Sequence, residues 1–327
     1  MWTMLAAVLA WQAIGSADEA GVPGLPPNAI EAIAVRRCEA NPLVDFNSSA
    51  SLGNNINGPS VIRVPSWIKK PLGKYYMYFA HHGGKFIRLA YADSLQGPWR
   101  IYEPGTLRLE QAAAFHGHIA SPDVHVDDEK KEIRMYFHGP ARGGQKTGVA
   151  TSGNGIDFVA SDAILGQFYF RVFQWKGWYY AIAKNGNTGW GTLYRSKDGV
   201  TPFESRGDFI RMIRHAAVMI EGDELFVFYS RANDAPERIV VATVSLTEDW
   251  NDWQASEPID VIWPEEDYEG MAYPNKPSKY GSAIKVRQLR DPCIFQEGGK
   301  TYLFYSIAGE MGIGVAELEI TMKHSGE

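Results

Sequence analysis

The feature that most constrains the fold of this chain is a four-part unit that recurs five times along it. Each copy opens with an apolar strand, often just after a proline. A glycine-bearing or polar turn, an aromatic-rich second strand and a third strand follow. The second strands read KYYMYF at 74–79, IRMYF at 133–137, GWYY at 177–180, LFVFY at 225–229 and TYLFY at 301–305. The spacing of these runs falls in the range of propeller blades. No amphipathic helical pattern separates them, which excludes alternating βαβ units and points to an all-β architecture. A β-sandwich needs no such ordered repeat, so the expectation is a five-bladed β-propeller over residues 55–320. The fifth copy lacks a fourth strand before the chain ends. Closing the ring therefore calls for an outer strand from the segment 18–54, within 30–46, and residues 321–327 form a C-terminal tail.

Composition narrows the partners. The formal net charge is −6 and there is no basic run, so the electrostatic footprint of a nucleic-acid binder is missing. Aromatics make up 13% of the chain, enough to supply blade cores and still line a binding face. Residues 2–14 are apolar but too short for a membrane span, and small residues at 15–17 follow them. That pattern reads as a secretory signal peptide over 1–17, hence a secreted or periplasmic protein with no membrane insertion. Two cysteines, Cys38 and Cys293, make no disulfide framework. Their expected places on an outer and an inner strand separate them by about three strand spacings of ~4.8 Å, which predicts free thiols.

Strand direction sorts the polar residues. Neighbouring strands within a blade are antiparallel, so the starts of inner strands and the ends of second strands share one face. The first set brings Asn57, His118, Asp123, Arg171, His215, Arg290 and Asp291 to the channel mouth. The second brings His81, His82, His138, Lys184, Asn185, Ser230 and Arg231. Imidazoles at such a site hydrogen-bond hydroxyls or transfer protons near neutral pH. No histidine pair has the helical spacing of a zinc site; no cofactor is expected, and a channel-bound metal ion stays open on ligand type. Asp123 and Asp291 sit beside prolines at inner-strand mouths and are the candidate catalytic carboxylates, against the plainer reading of turn residues. The long connection 262–289 carries Glu265-Glu266-Asp267-Tyr268-Glu269-Gly270, in which Glu269 is the candidate proton donor, against a solvated acidic loop.

The strand motifs, the Pro122-Asp123-Val124 start and the Arg290-Asp291-Pro292 triplet resemble the five-bladed glycoside hydrolases of families 43 and 32, the arabinanase, levansucrase and invertase relatives. The resemblance implies a site over the channel with three acidic residues, and the triplet matches the middle aspartate that orients substrate in the family 32 enzymes. This sequence departs from that pattern. The triplet lies on the last blade, the first blade reads Asn57-Gly58-Pro59, and blades three and four open with Phe170-Arg171 and Arg214-His215. His215 or His118 would then take a proton-transfer role.

The expected function is a secreted glycoside hydrolase acting on plant or algal oligosaccharides through Asp123, Asp291 and Glu269. Asn57, His81, His82, His118, His138, Arg171, His215, Arg231 and Arg290 would contact substrate. Two alternatives remain: a polysaccharide lyase using His, Tyr and Arg, and a non-catalytic carbohydrate-binding propeller.

Overall fold

The computed structural model describes residues 24–323 apart from 187; the expected signal segment lies outside the described residues. Five antiparallel sheets form the blades of a propeller. From the channel outward, blade one runs Asn57–Arg63, Tyr75–Ala80, Arg88–Ala92 and Arg100–Tyr102. Blade two runs Ala120–Asp127, Glu132–Ala141, Gly144–Ser152 and Val159–Ala160, with Gly166–Gln167 as an added edge. Blade three runs Arg171–Trp175, Trp178–Lys184, Trp190–Ser196 and Glu204–Arg211. Blade four runs Ile213–Glu221, Glu224–Arg231, Ile239–Ser245 and Ile259–Ile262. Blade five runs Arg290–Glu297, Lys300–Ile307 and Gly312–Met322, and its outermost strand is Ile30–Arg37 from the other end of the chain. Among the described residues no helix is long and apolar enough to cross a membrane.

The continuous apolar second strands have a physical reason. Each blade is sandwiched between two others, so both faces of its second strand are buried, yet side chains still alternate along it. Leu225, Val227 and Tyr229 pack into the cluster shared with blade three, whereas Phe226 and Phe228 pack into the one shared with blade five. The described residues form five such clusters, one between each pair of adjacent blades. The core is therefore a ring of wedges, which leaves the axis free for polar groups.

Inner strands carry a recurring irregularity that positions the site. Their register jumps between Asn57 and Ser60, between Ala120 and Asp123, between Ile213 and Ala216, and between Arg290 and Cys293. Each jump is a β-bulge, with two residues opposite one on the second strand. In blades one, two and five the first bulged residue is Gly58, Ser121 or Asp291, all with positive φ (63°, 48° and 50°). Pro59, Pro122 or Pro292 follows, and at a bulge the missing N–H costs no ladder bond. Blade four places Arg214 and His215 at this bulge.

Both cysteines are free. Cys38 lies just past the outer strand, its N–H bonded to the Val315 carbonyl. Burial pushes the Cys293 thiol up to about 12.

Candidate active site at the channel mouth

A cavity of about 360 Å³ opens at the mouth, a volume suited to a small ligand. Its walls bring together Asn57, His82, His118, His138, Lys184 and His215 from the residues that strand direction gathers, and add Tyr169, Arg214 and Tyr280. Beneath it lies a buried ionic network. Arg290 donates to Glu237 at 2.8 Å, to Glu310 at 3.0 Å and to Gln288. Arg214 reaches Glu237 at 3.4 Å and the hydroxyl of Ser278 at 3.1 Å, and it bonds the Lys279 carbonyl, which pins the 262–289 connection over the mouth. Glu310 also accepts from Asn55 at 2.6 Å, Asn57 at 3.1 Å and Ser282 at 2.7 Å. Buried charges persist only when paired and hydrogen-bonded in this way.

Asp291 stands behind this wall, 3% exposed. Its Oδ2 accepts the Ser306 hydroxyl at 3.0 Å, and its Oδ1 lies 3.1 Å from His215 Nδ1. That approach is close but off the hydrogen-bonding direction of the ring, so Nδ1 has no hydrogen bond among the described residues. Burial raises the Asp291 carboxyl to about 6, with the nearby Glu310 charge adding to the rise and Arg290 opposing it. Burial holds the His215 imidazole well below its ordinary range, helped by Arg214 and Arg290, so it is neutral at pH 7. Tyr169, itself at φ 66°, sets its ring 5.1 Å from that of His215 and 4.4 Å from that of His138. Burial, then Asp291, pushes the Tyr169 phenol up. His138 is likewise held far below its usual value, by burial and the neighbouring His118, and its Nδ1 has no partner among the described residues.

No protein-family model matches the sequence. The chain is 38% identical over 302 residues to an uncharacterized protein of Acanthamoeba polyphaga mimivirus, covering 81% of this chain and 83% of that protein. It belongs to the family of that viral protein. Solved structures of similar fold include a family 43 β-xylosidase/α-arabinofuranosidase from a compost microbial metagenome, with a TM-score of 0.59 at 14% identity over 90% of this chain and 97% of that one. A structure from family 130, the mannoside phosphorylases that include hydrolases of β-1,2 mannosidic linkages in Candida mannan, gives 0.59 at 13% over 90% and 95%. A family 43 enzyme of Xanthomonas citri gives 0.56 at 14% over 85% and 90%. At these identities the likeness is one of fold. The structural neighbours of this family member are thus five-bladed propeller glycosidases.

Several sequence-derived residues stand elsewhere. Asp123 follows its proline and is the first paired residue after the bulge, whereas Asp291 precedes its own and is the first residue of the bulge. Asp123 lines a second cavity of about 230 Å³ deeper in the channel. There it accepts the Val172 N–H at 2.8 Å and lies 2.9 Å from His125 Nε2. Burial opposes its charge, but His125 and Arg171 hold its carboxyl below the usual range. Arg171 also lines this deeper cavity and not the mouth, its Nε on the Ala216 carbonyl at 2.8 Å and Nη1 on the Phe170 carbonyl at 2.9 Å. Its Nη2 is buried without a partner among the described residues. Arg290 is fully buried in its carboxylate network and lines no part of the mouth.

Glu269 is a correction of larger consequence. It is fully buried, accepts Arg37 at 2.9 and 3.1 Å, Tyr305 at 2.8 Å and two backbone N–H groups, and lies outside the mouth. With both oxygens occupied it is a structural clasp, not a proton donor. His81 turns its Nδ1 onto the Gly83 N–H, and Arg231 pairs with Asp234 at 3.1 Å; neither lines the cavity. Sequence reasoning placed Lys184 on this face without assigning it a role. Tyr280 lies on the long connection 262–289, which its length marks as a binding loop, whereas Tyr169 and the buried Glu237 and Glu310 carry no local pattern that would have singled them out. Among the described residues no cluster of three or more His, Cys, Asp or Glu has a metal-holding arrangement.

Proposed function

We propose that this protein is a glycoside hydrolase acting at the channel mouth on oligosaccharides derived from plant or algal polysaccharide. The observation that carries the reading is Asp291, a buried carboxyl held at about 6 directly behind an imidazole that lines the cavity. A carboxyl in that range holds a proton long enough to act as an acid near neutral pH. His215 meets the substrate and Asp291 is the proton reservoir behind it, the 3.1 Å approach becoming a hydrogen bond when the imidazole turns its Nδ1 onto the carboxyl in the substrate complex. The leaving glycosidic oxygen takes a proton from this pair as the C–O bond breaks. Water then adds at the anomeric carbon and returns a proton to the pair, so the site ends as it began. The glycosidase neighbours, one of them crystallised with xylotriose, support a sugar ligand in this fold. The apolar segment at 2–14 supports export, which is also part of the proposal.

A second reading is favoured by one feature: among the described residues no Asp or Glu lines the mouth, while His138, His215, Tyr169 and Lys184 do. A lyase needs such groups. A base removes the proton next to a uronate carboxylate, the β C–O bond breaks, and an unsaturated sugar leaves with no water consumed. The test is a product screen with plant and algal polysaccharides that reads new reducing ends and ultraviolet absorbance together. Reducing ends alone, lost in Asp291→Asn and His215→Gln, support hydrolysis. Absorbance moves the assignment to elimination, and silence in both channels overturns the enzyme reading.

A further inference from the structure

Lys184 is a cation without an anion. It is 6% exposed at the end of the second strand of blade three, and its ammonium makes no ion pair among the described residues. Instead it faces three aromatic rings: Tyr280 at 3.9 Å, Phe168 at 5.5 Å and Tyr169 at 5.9 Å. Rings supply part of the lost hydration of a cation but none of the charge neutralisation that a carboxylate would give. Nearby buried polar atoms are also left over: Arg171 Nη2 and Arg214 Nε among the donors, Gln145 Oε1 and Glu237 Oε1 among the acceptors, and His138 Nδ1, whose role its tautomer sets, have no hydrogen-bond partner among the described residues. The buried carboxylates Glu237 and Glu310 pair with Arg214 and Arg290, and neither forms an ion pair with Lys184. The charged residues that line the cavity are Lys184 and Arg214. A buried ammonium with no carboxylate of its own, in a wall whose charged residues are both cations, marks a place where an anion belongs.

We infer that Lys184 recognises an oxyanion on the sugar taken at the mouth, so the substrate class is a glycan bearing a uronate carboxylate or a sulfate ester. This rests on the mouth being a sugar site and names which sugars it takes. An oxyanion against Lys184 replaces its missing counter-ion, and the caging rings stack on the sugar's apolar faces. Burial, then Arg214, holds the free ammonium down to about 7, with Arg290 in the same sense and Glu237 and Asp291 opposing. Neutral His138 and His215 and the phenols of Tyr169 and Tyr280 complete its surroundings. The anion preference is therefore strongest below pH 7 and fades as pH rises through that value.

The experiment is isothermal titration of the full chain with two matched pairs, trigalacturonate against its methyl ester and a sulfated galactan disaccharide against its desulfated form. The expected result is at least ten-fold tighter binding of one charged member over its neutral partner at pH 6, shrinking at pH 8. Lys184→Met should remove that ratio while circular dichroism shows an intact fold, and Lys184→Arg should keep most of it. Preference in the first pair assigns a uronate and in the second a sulfate ester. Equal binding within both pairs, no binding of either charged member, or a preference that survives Lys184→Met overturns the inference. Turnover is not read, so the two proposals fail separately. Lys184-dependent binding without any cleavage would remove the hydrolase and leave this assignment standing.

Discussion

Asp291 is held in a state that works against the fold. Its carboxyl titrates at about 6 in the native chain against an ordinary 3.8, so the folded state binds the extra proton between those values. Stability from this group is fully present below the unfolded value and is lost as pH rises through about 6. The gap between the two values corresponds to about 3 kcal/mol of strain from the ionised form above pH 6. Asp291→Asn should therefore raise the melting temperature at pH 7.5, leave it nearly unchanged at pH 4, and lower turnover at least 100-fold. Equal stability of the variant and the parent at pH 7.5 would show that the carboxylate is not strained. Glu269 predicts the opposite pairing of effects. Glu269→Gln removes one of the two carboxylates that Arg37 meets, with Glu265 remaining at 3.1 Å, a loss of about 1–3 kcal/mol. Turnover per folded molecule should stay within two-fold of the parent, and a 100-fold fall would return Glu269 to the chemistry.

At the scale of elements, the second strands show how an unbroken apolar run still encodes two faces. Phe228 is fully buried in the wedge between blades four and five. Phe228→Ala should cost about 3–5 kcal/mol in urea denaturation, and a loss under about 1 kcal/mol would mean that the blades are not locked together. The five repeats were legible in the sequence because each blade must solve the same burial problem with the same run of residues. The mouth was legible in part, because antiparallel strand direction alone gathers Asn57, His82, His118, His138 and His215. What the sequence hid was register. Asp123 and Asp291 both touch a proline, but they stand on opposite sides of it. Side chains alternate along a strand and a bulge re-aims them, so that offset sends Asp123 into the deeper cavity. Glu269 was hidden for a different reason: its partner Arg37 is 232 residues away, and an acidic run gives no local sign of such a clasp.

For the whole molecule the decisive contact is the one that makes a ring out of a line of blades. Ile30–Arg37 pairs antiparallel with Gly312–Met322, from Ile30 opposite Met322 to Arg37 opposite Ala316. Without that strand the last blade would present a bare edge, and the wedge of apolar side chains shared with blade four would lose Ile30. The same segment ends in Arg37, which holds Glu269 and the Trp263 carbonyl, so the clasp fastens the connection that arches over the mouth. Closure and site are thus coupled through one side chain. Removing residues 1–38 should lower the melting temperature by more than about 10 °C, since a 1 kcal/mol loss shifts a chain of this size by about 2–4 °C or less and several such contacts go together. It should also produce concentration-dependent association through the exposed edge of Gly312–Met322. A synthetic peptide spanning residues 28–41, added in trans, should restore both the melting temperature and the association state of the parent chain by refilling the outer position. The decisive comparison is between the truncated chain with this peptide and with a scrambled one. Recovery with the scrambled sequence, or a truncated chain as stable as the parent, would mean that the ring closes without this strand.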